Sequence, residues 1–136
     1  MSRRLLGIGV DLLDTRRIAR IASDPKRSRA LARRILSAQE QAWMEPLLYS
    51  DLAAGSRFLA LRWAAKEAVF KACFPQVYLE WKDVQVVKDP SPKPHLKFVN
   101  PDHGHLHAHL SISHDGDFMV AMVVVETETQ DQVVKP

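Results

Sequence analysis

Asp11, Glu67 and Lys71 are the residues of this 136-residue chain whose types could do chemistry together. Asp11 sits inside the apolar run LLGIGVDLL. A carboxylate there is costly unless a cation, a metal or backbone donors meet it. Glu67 and Lys71 stand four apart in RWAAKEAVFKA (62–72), so on a helix they share one stripe. Two carboxylates and an ammonium are the residue types that hold Mg²⁺ against phosphate, because magnesium takes one or two carboxylates plus substrate oxygens. The plain alternative is a Glu-to-Lys pair on a wet surface, worth roughly a few tenths of a kcal/mol.

The helix that must carry them has charge on two sides. At about 100° per residue, Arg62 and Lys66 fall about 40° apart, and Glu67 with Lys71 lies on a stripe turned well away. Apolar lanes run between, one of Leu59, Trp63, Phe70 and Phe74, the other of Phe58, Leu61, Ala65, Ala68 and Ala72. A helix apolar on both flanks is expected to be central. Ala60 and Ala64 beside the Glu67 lane would leave room for a bulky ligand.

Around this helix the chain reads as strand, helices, then strands. LLGIGVDLL is apolar and bounded by charges, as expected of a buried strand. TRRIARIA, from Thr15, makes a short helix with Arg16, Arg17 and Arg20 outside Ile18 and Ile21. Asp24 before Pro25 signals a helix start, and Ser37 with Glu40 reads as a capping box. The long helix is expected from about Arg57 to Phe74, closed by Pro75. WKDVQVV, PHLKFV, HLSIS and FMVAMVVVE then read as strands, the last two joined by the turn HDGD. That order predicts an α+β domain, helices packed on an antiparallel sheet, over residues 1–126, with a polar tail over 127–136.

Composition agrees with one folded domain: 46% of residues are hydrophobic and 26% charged. Lys and Arg number 19 against 16 acidic residues, with several Arg in the first 34 positions, so an acidic or phosphorylated partner is expected. The single Cys73 excludes an internal disulfide and suits a reducing compartment. MSRRLL reaches the first strand too soon for a targeting segment to be visible. No apolar run approaches the roughly 20 residues that span a bilayer.

Three blocks, GIGVDLLDTRRI (7–18), RWAAKEAVFKA (62–72) and HLSISHDGDFMVAMVVVE (109–126), together resemble the holo-acyl-carrier-protein synthases, the short class of 4′-phosphopantetheinyl transferase. LARRILSAQE, WKDVQVV and the KP of SPKPHL add weaker likeness. The resemblance implies the fold of that family and transfer of the phosphopantetheine arm of coenzyme A to a serine of apo acyl carrier protein, releasing 3′,5′-ADP. It makes Asp11 and Glu67 the magnesium ligands, and Lys71 the group beside the pyrophosphate. Glu67, directly or through a bound water, becomes the candidate base. It offers Arg62, Lys66, His109 and Ser111 as coenzyme A contacts, with Ser113 and His114 behind them, and turns Arg16, Arg17 and Arg20 toward an acidic carrier helix. It also implies a homotrimer with sites at subunit boundaries, and no nucleic-acid or membrane partner. The chain departs from the family pattern in several places. SPKP replaces a GKP turn, Leu61 replaces a frequent glycine, only Arg57 stands where several basic residues are usual, and CFPQVYLEW replaces a glycine-rich loop. The compact form resembles eukaryotic organellar members, which suggests a mitochondrial matrix or cytoplasmic protein.

Other patterns compete. His105, His107 and His109 have period 2 and would share a strand face that could take a transition metal, or simply be solvated. GIGVD lacks the third glycine of a dinucleotide loop. A basic RNA-binding module built on the first 34 residues would need aromatic platforms that this region does not supply. A relative that binds carrier protein or coenzyme A without transfer would have no need of Asp11, Glu67 and Lys71.

Overall fold

Two glycines decide how the first strand packs. The computed structural model, which describes residues 2–88, 90–130 and 136, lays β1 (Arg3–Asp14) along α4 (Leu52–Cys73). A Cβ at Gly7 would stand 2.0 Å from the Ala72 carbonyl oxygen, and one at Gly9 1.8 Å from that of Ala68. Both are overlaps, so only glycine permits this approach. Side chains alternate along a strand, so residues 7, 9, 11 and 13 share the helix-facing side; Gly9 and Leu13 are buried there.

Between β1 and α4 the chain forms three helices, each started by its own side chains. Asp14 caps α1 (Thr15–Ala22), and Asp24 caps α2 (Pro25–Ile35) with Pro25 in the first turn. Ser37 and Glu40 close a reciprocal capping box on α3 (Ala38–Ser50). Asp51 starts α4 by accepting the Ala54 N–H at 3.1 Å. After α4, β2 (Val84–Val87) pairs with β3 (His95–Phe98) as a separate two-stranded sheet. β4 (Leu106–Asp115) and β5 (Phe118–Glu128) complete an antiparallel sheet ordered β1-β5-β4. Gly116, at φ 56°, makes the left-handed turn between them. α4 covers one face of this sheet, and Ala65, Ala68, Val69, Ala121, Val123 and Val125 are fully buried between them.

The α+β architecture and the central helix match the expectation; four details differ. α4 starts at Leu52, because the Asp51 cap recruits a segment that composition marked as loop. The strands form two sheets where one was expected. β1 is an edge strand covered on one side, leaving Ile8 62% and Leu12 66% exposed. β5 runs into the expected tail, since Thr127 pairs with both Arg4 and Leu106; residues 131–135 of that tail lie outside the described residues.

Gly9→Ala should destabilise the domain by about 3 kcal/mol, the upper part of the overpacking range, because backbone must move to admit the methyl. Denaturant unfolding at wild-type stability would show that β1 does not need this approach.

Candidate active site

The close packing of β1 on α4 puts Asp11 two residues beyond Gly9, facing the helix. Lys71 Nζ donates to the Val10 carbonyl oxygen at 3.0 Å and lies 3.4 Å from Asp11 Oδ1. The Asp11 side chain is 13% exposed, and its Oδ2 is buried without a hydrogen-bond partner. Glu67 is half-buried on the same lane of α4. Its pKa is raised, first by burial and then by the charge of Asp11, against the opposing pull of Lys71 and Arg34. Two mutually repelling carboxylates, one with an orphaned buried oxygen, form a hard-oxygen donor set short of positive charge. Those residues fit Mg²⁺ held by two carboxylates and completed by phosphate oxygens.

The other charged lane of α4 turns the opposite way, into the core. Lys66 Nζ, completely buried, donates to Glu40 Oε1 at 2.6 Å, to the Ile35 carbonyl at 2.7 Å and to the Trp81 carbonyl at 3.0 Å. Glu40 is equally buried; it also accepts the Ser37 N–H at 3.0 Å and the Val86 N–H at 3.1 Å. Arg62 Nε lies 3.2 Å from Glu40 Oε2, its Nη2 donates to the Val86 carbonyl at 3.1 Å, and its guanidinium stacks 3.4 Å over the Phe58 ring. Burial lowers the Lys66 pKa and takes that of Arg62 down to about 10, both opposed by Glu40. The expected coenzyme A contacts are therefore corrected: Lys66 spends all three N–H groups internally, and Arg62 is directed to Glu40 and Val86. Glu40 is the residue that sequence reasoning missed. It reads as a capping residue, and the available signal was its need to answer two charges among apolar lanes.

His109 and Ser111 stand on the sheet face away from α4. Both are exposed, and His109 Nε2 is 2.9 Å from Glu126. Within one chain the structure does not bring them to Asp11, Glu67 and Lys71. His107 pairs with Glu128 at 2.9 Å, so the histidine face is divided between two glutamates, and His105 precedes the strand. Among the described residues no cluster of three or more ligating side chains holds a metal geometry, and no helix is long and apolar enough to cross a membrane.

On α1, Arg16 grips Asp14 at 2.7 Å and approaches Asp117 at 3.6 Å, holding the Asp14 carboxyl down at about 2. Arg17 and Arg20 are exposed without a salt bridge among the described residues. A cavity of about 1220 Å³ lies between α1, α3, the first half of α4 and the β4–β5 turn. Trp43, Leu47, Phe58 and Leu61 wall it, with Arg16, Arg57, Lys88 and His114 around them, and it does not include Asp11, Glu67 or Lys71. Ala60 borders this cavity, whereas Ala64 is sealed in the core; the room expected at Ala64 is filled by the protein itself.

Glu40→Ala should destabilise the protein by about 3–5 kcal/mol, since two buried cations lose their counter-ion; a loss under 1 kcal/mol by denaturant unfolding would contradict the buried network. A second expectation concerns pH. The folded pKa of Glu67 lies above its unfolded value, so ionised Glu67 costs stability above that pKa, and the cost is relieved as pH falls through it. Its NMR titration midpoint should sit above the ordinary value of about 4.3 and drop in Asp11→Asn, which removes the repelling charge; an unmoved midpoint would show that the carboxylates are not coupled.

A family model described as the 4'-phosphopantetheinyl transferase superfamily matches residues 7–123. A holo-[acyl-carrier-protein] synthase of Geobacter metallireducens is 35% identical over 130 residues, covering 90% of this chain and 98% of its own length. One from Anaplasma phagocytophilum is 38% identical over 126 residues, covering 90% and 99%. The crystal structure of a holo-(acyl-carrier-protein) synthase from Bacillus anthracis in complex with CoA (3',5'-ADP) superposes with a TM-score of 0.71 at 32% identity, covering 91% of this chain and 98% of that one. These relatives are bacterial, so the suggested likeness to organellar members gains no support from them. Matched along nearly its whole length by the model and by these relatives, the chain belongs to the 4′-phosphopantetheinyl transferase superfamily, in its short holo-acyl-carrier-protein synthase class.

Proposed function

We propose that this chain transfers the 4′-phosphopantetheine arm of coenzyme A to a serine hydroxyl of apo acyl carrier protein, with 3′,5′-ADP as the leaving group. The observation that carries the reading is the seam of β1 on α4, where Lys71 lies 3.4 Å from Asp11, whose Oδ2 is buried without a partner, and Glu67 feels the Asp11 charge. Glu67, directly or through a bound water, takes the serine proton. The serine oxygen attacks the phosphorus that bears the pantetheine arm, and the bond from that phosphorus to the oxygen of 3′,5′-ADP breaks. Lys71 meets the charge that develops on the leaving phosphate. Magnesium, when held by Asp11 and Glu67, supplies neutralisation of the pyrophosphate oxygens. Arg17 and Arg20, exposed and without a salt bridge among the described residues, steer the acidic carrier helix, while Arg16 orients the start of α1 through Asp14.

The active form in this reading is a homotrimer. Ile8, Val10, Leu12 and Met122 leave the outer sheet face 46–66% exposed at apolar positions, a surface that argues for a protein partner. His109 and Ser111 share that outer face with them, so they can join an Asp11–Glu67–Lys71 set only on another copy. Val10→Asp should convert the oligomer to monomer in sedimentation and abolish transfer; a monomeric wild type with full activity would remove this part of the reading.

Intact mass of apo acyl carrier protein, incubated with the protein, coenzyme A and Mg²⁺, should rise by one phosphopantetheine arm and stay unchanged with EDTA. Glu67→Ala should lose at least 100-fold in rate, the lower bound of what a general base contributes, while remaining folded. In the same assay Arg17→Glu should raise the KM for carrier protein and leave that for coenzyme A within twofold. Transfer by Glu67→Ala near the wild-type rate would take that carboxylate out of the mechanism.

A further inference from the structure

Lys71 also borders a second hollow. This pocket, about 350 Å³, is formed by Lys71 with Phe70, Phe74, Val77, Tyr78 and Leu79. It is built by CFPQVYLEW, the segment that stands where the family resemblance implies a glycine-rich loop. Phe74 and Tyr78 meet edge to face, 5.6 Å between ring centres, yet remain 61% and 75% exposed. Leaving two large rings in water forgoes the favourable burial of their apolar surface, so a ligand that covers them is favoured.

The chemistry of the walls restricts what that ligand is. No lining side chain is acidic, and Lys71 is the only cation among them. The ammonium of Lys71 marks the end next to the Asp11–Glu67 pair, where the reacting phosphate belongs on the functional reading above. A matching ligand therefore carries an anionic group at Lys71 and, attached directly to it, an uncharged chain that runs over aromatic faces. Small-molecule pockets span roughly 300–1,000 Å³, so this one suits a narrow chain and not a second nucleotide.

We propose that Phe74, Val77 and Tyr78 form a subsite for the pantetheine arm of coenzyme A, with Lys71 at its phosphate end. The inference rests on the transferase reading and adds the residues that distinguish the arm from the nucleotide. The gem-dimethyl and methylene groups of the arm pack on the rings, and its amides face solvent at the open side. The rings hold the chain so that its phosphate stays beside Lys71.

The test is isothermal titration of wild type and of the Phe74→Ala/Tyr78→Ala double variant with coenzyme A and, separately, with 3′,5′-ADP, which has no arm. Coenzyme A affinity should fall about tenfold in the variant while 3′,5′-ADP affinity stays within twofold. Equal loss for both ligands, or no loss for coenzyme A, overturns the subsite. Should the double variant fail to fold by circular dichroism, Tyr78→Ala alone, on the more exposed ring, should show a threefold loss specific to coenzyme A. In steady state the KM for coenzyme A should rise and that for carrier protein should not; the reverse pattern makes the rings a carrier contact and overturns the proposal. Wild-type protein that binds coenzyme A more tightly than 3′,5′-ADP but transfers nothing would sustain the subsite and overturn the transferase reading.

Discussion

The buried carboxylate of Glu40 holds the domain in register. It ties the start of α3 to Lys66 and Arg62 of α4 and to the Val86 N–H of β2. Taking three charges out of water is expensive, and a well-packed apolar substitute could be as stable. What the cluster contributes is direction. Lys66 and Glu67 are neighbours on α4, so their side chains leave the helix about 100° apart. Anchoring Lys66 on Glu40, the Ile35 carbonyl and the Trp81 carbonyl leaves Glu67 pointing to the other side, toward β1.

On that other side the distances are set by absent atoms. Gly7 and Gly9 allow the strand to rest on the carbonyls of Ala72 and Ala68, and Asp11 arrives next to Glu67 and Lys71 as a consequence. Burial first, and then the like charge of Asp11, raise the Glu67 pKa. A pair that repels itself favours a cation, which is the role the proposed function gives it. One charged lane of α4 is sealed in the fold and the other, in the proposed function, serves the chemistry, although the residue types on the two lanes are nearly alike.

The sheet divides the remaining functional groups. α4 covers the face that carries Asp11, and the face bearing His109, Ser111, Ile8, Val10 and Met122 is left uncovered. Edge strands and bare apolar faces are liabilities in a monomer. Here they coincide with groups that a single chain cannot use at its own carboxylates, which connects assembly to catalysis in the proposed function. The aromatic pocket at Phe74 and Tyr78 lies on Lys71 from the helix end, so phosphate chemistry and arm recognition would share one cation.

Much of this was legible in the residues alone. The capping signals at Asp24 and Ser37, the central helix, the opposition of its two charged lanes and the Glu67–Lys71 stripe follow from local chemistry and from helical period, which act over a few residues. Tertiary contacts decided the rest. That Lys66 faces Glu40 and not a phosphate depends on a partner 26 positions away, and charge type alone cannot tell an inward lane from an outward one. That GIGVD is a packing surface depends on α4 carbonyls more than 50 residues distant in the chain. Which sheet face stays bare depends on strand order. Local composition determined which side chains could do chemistry; long-range packing determined which of them meet, because distance and burial are properties of the folded chain.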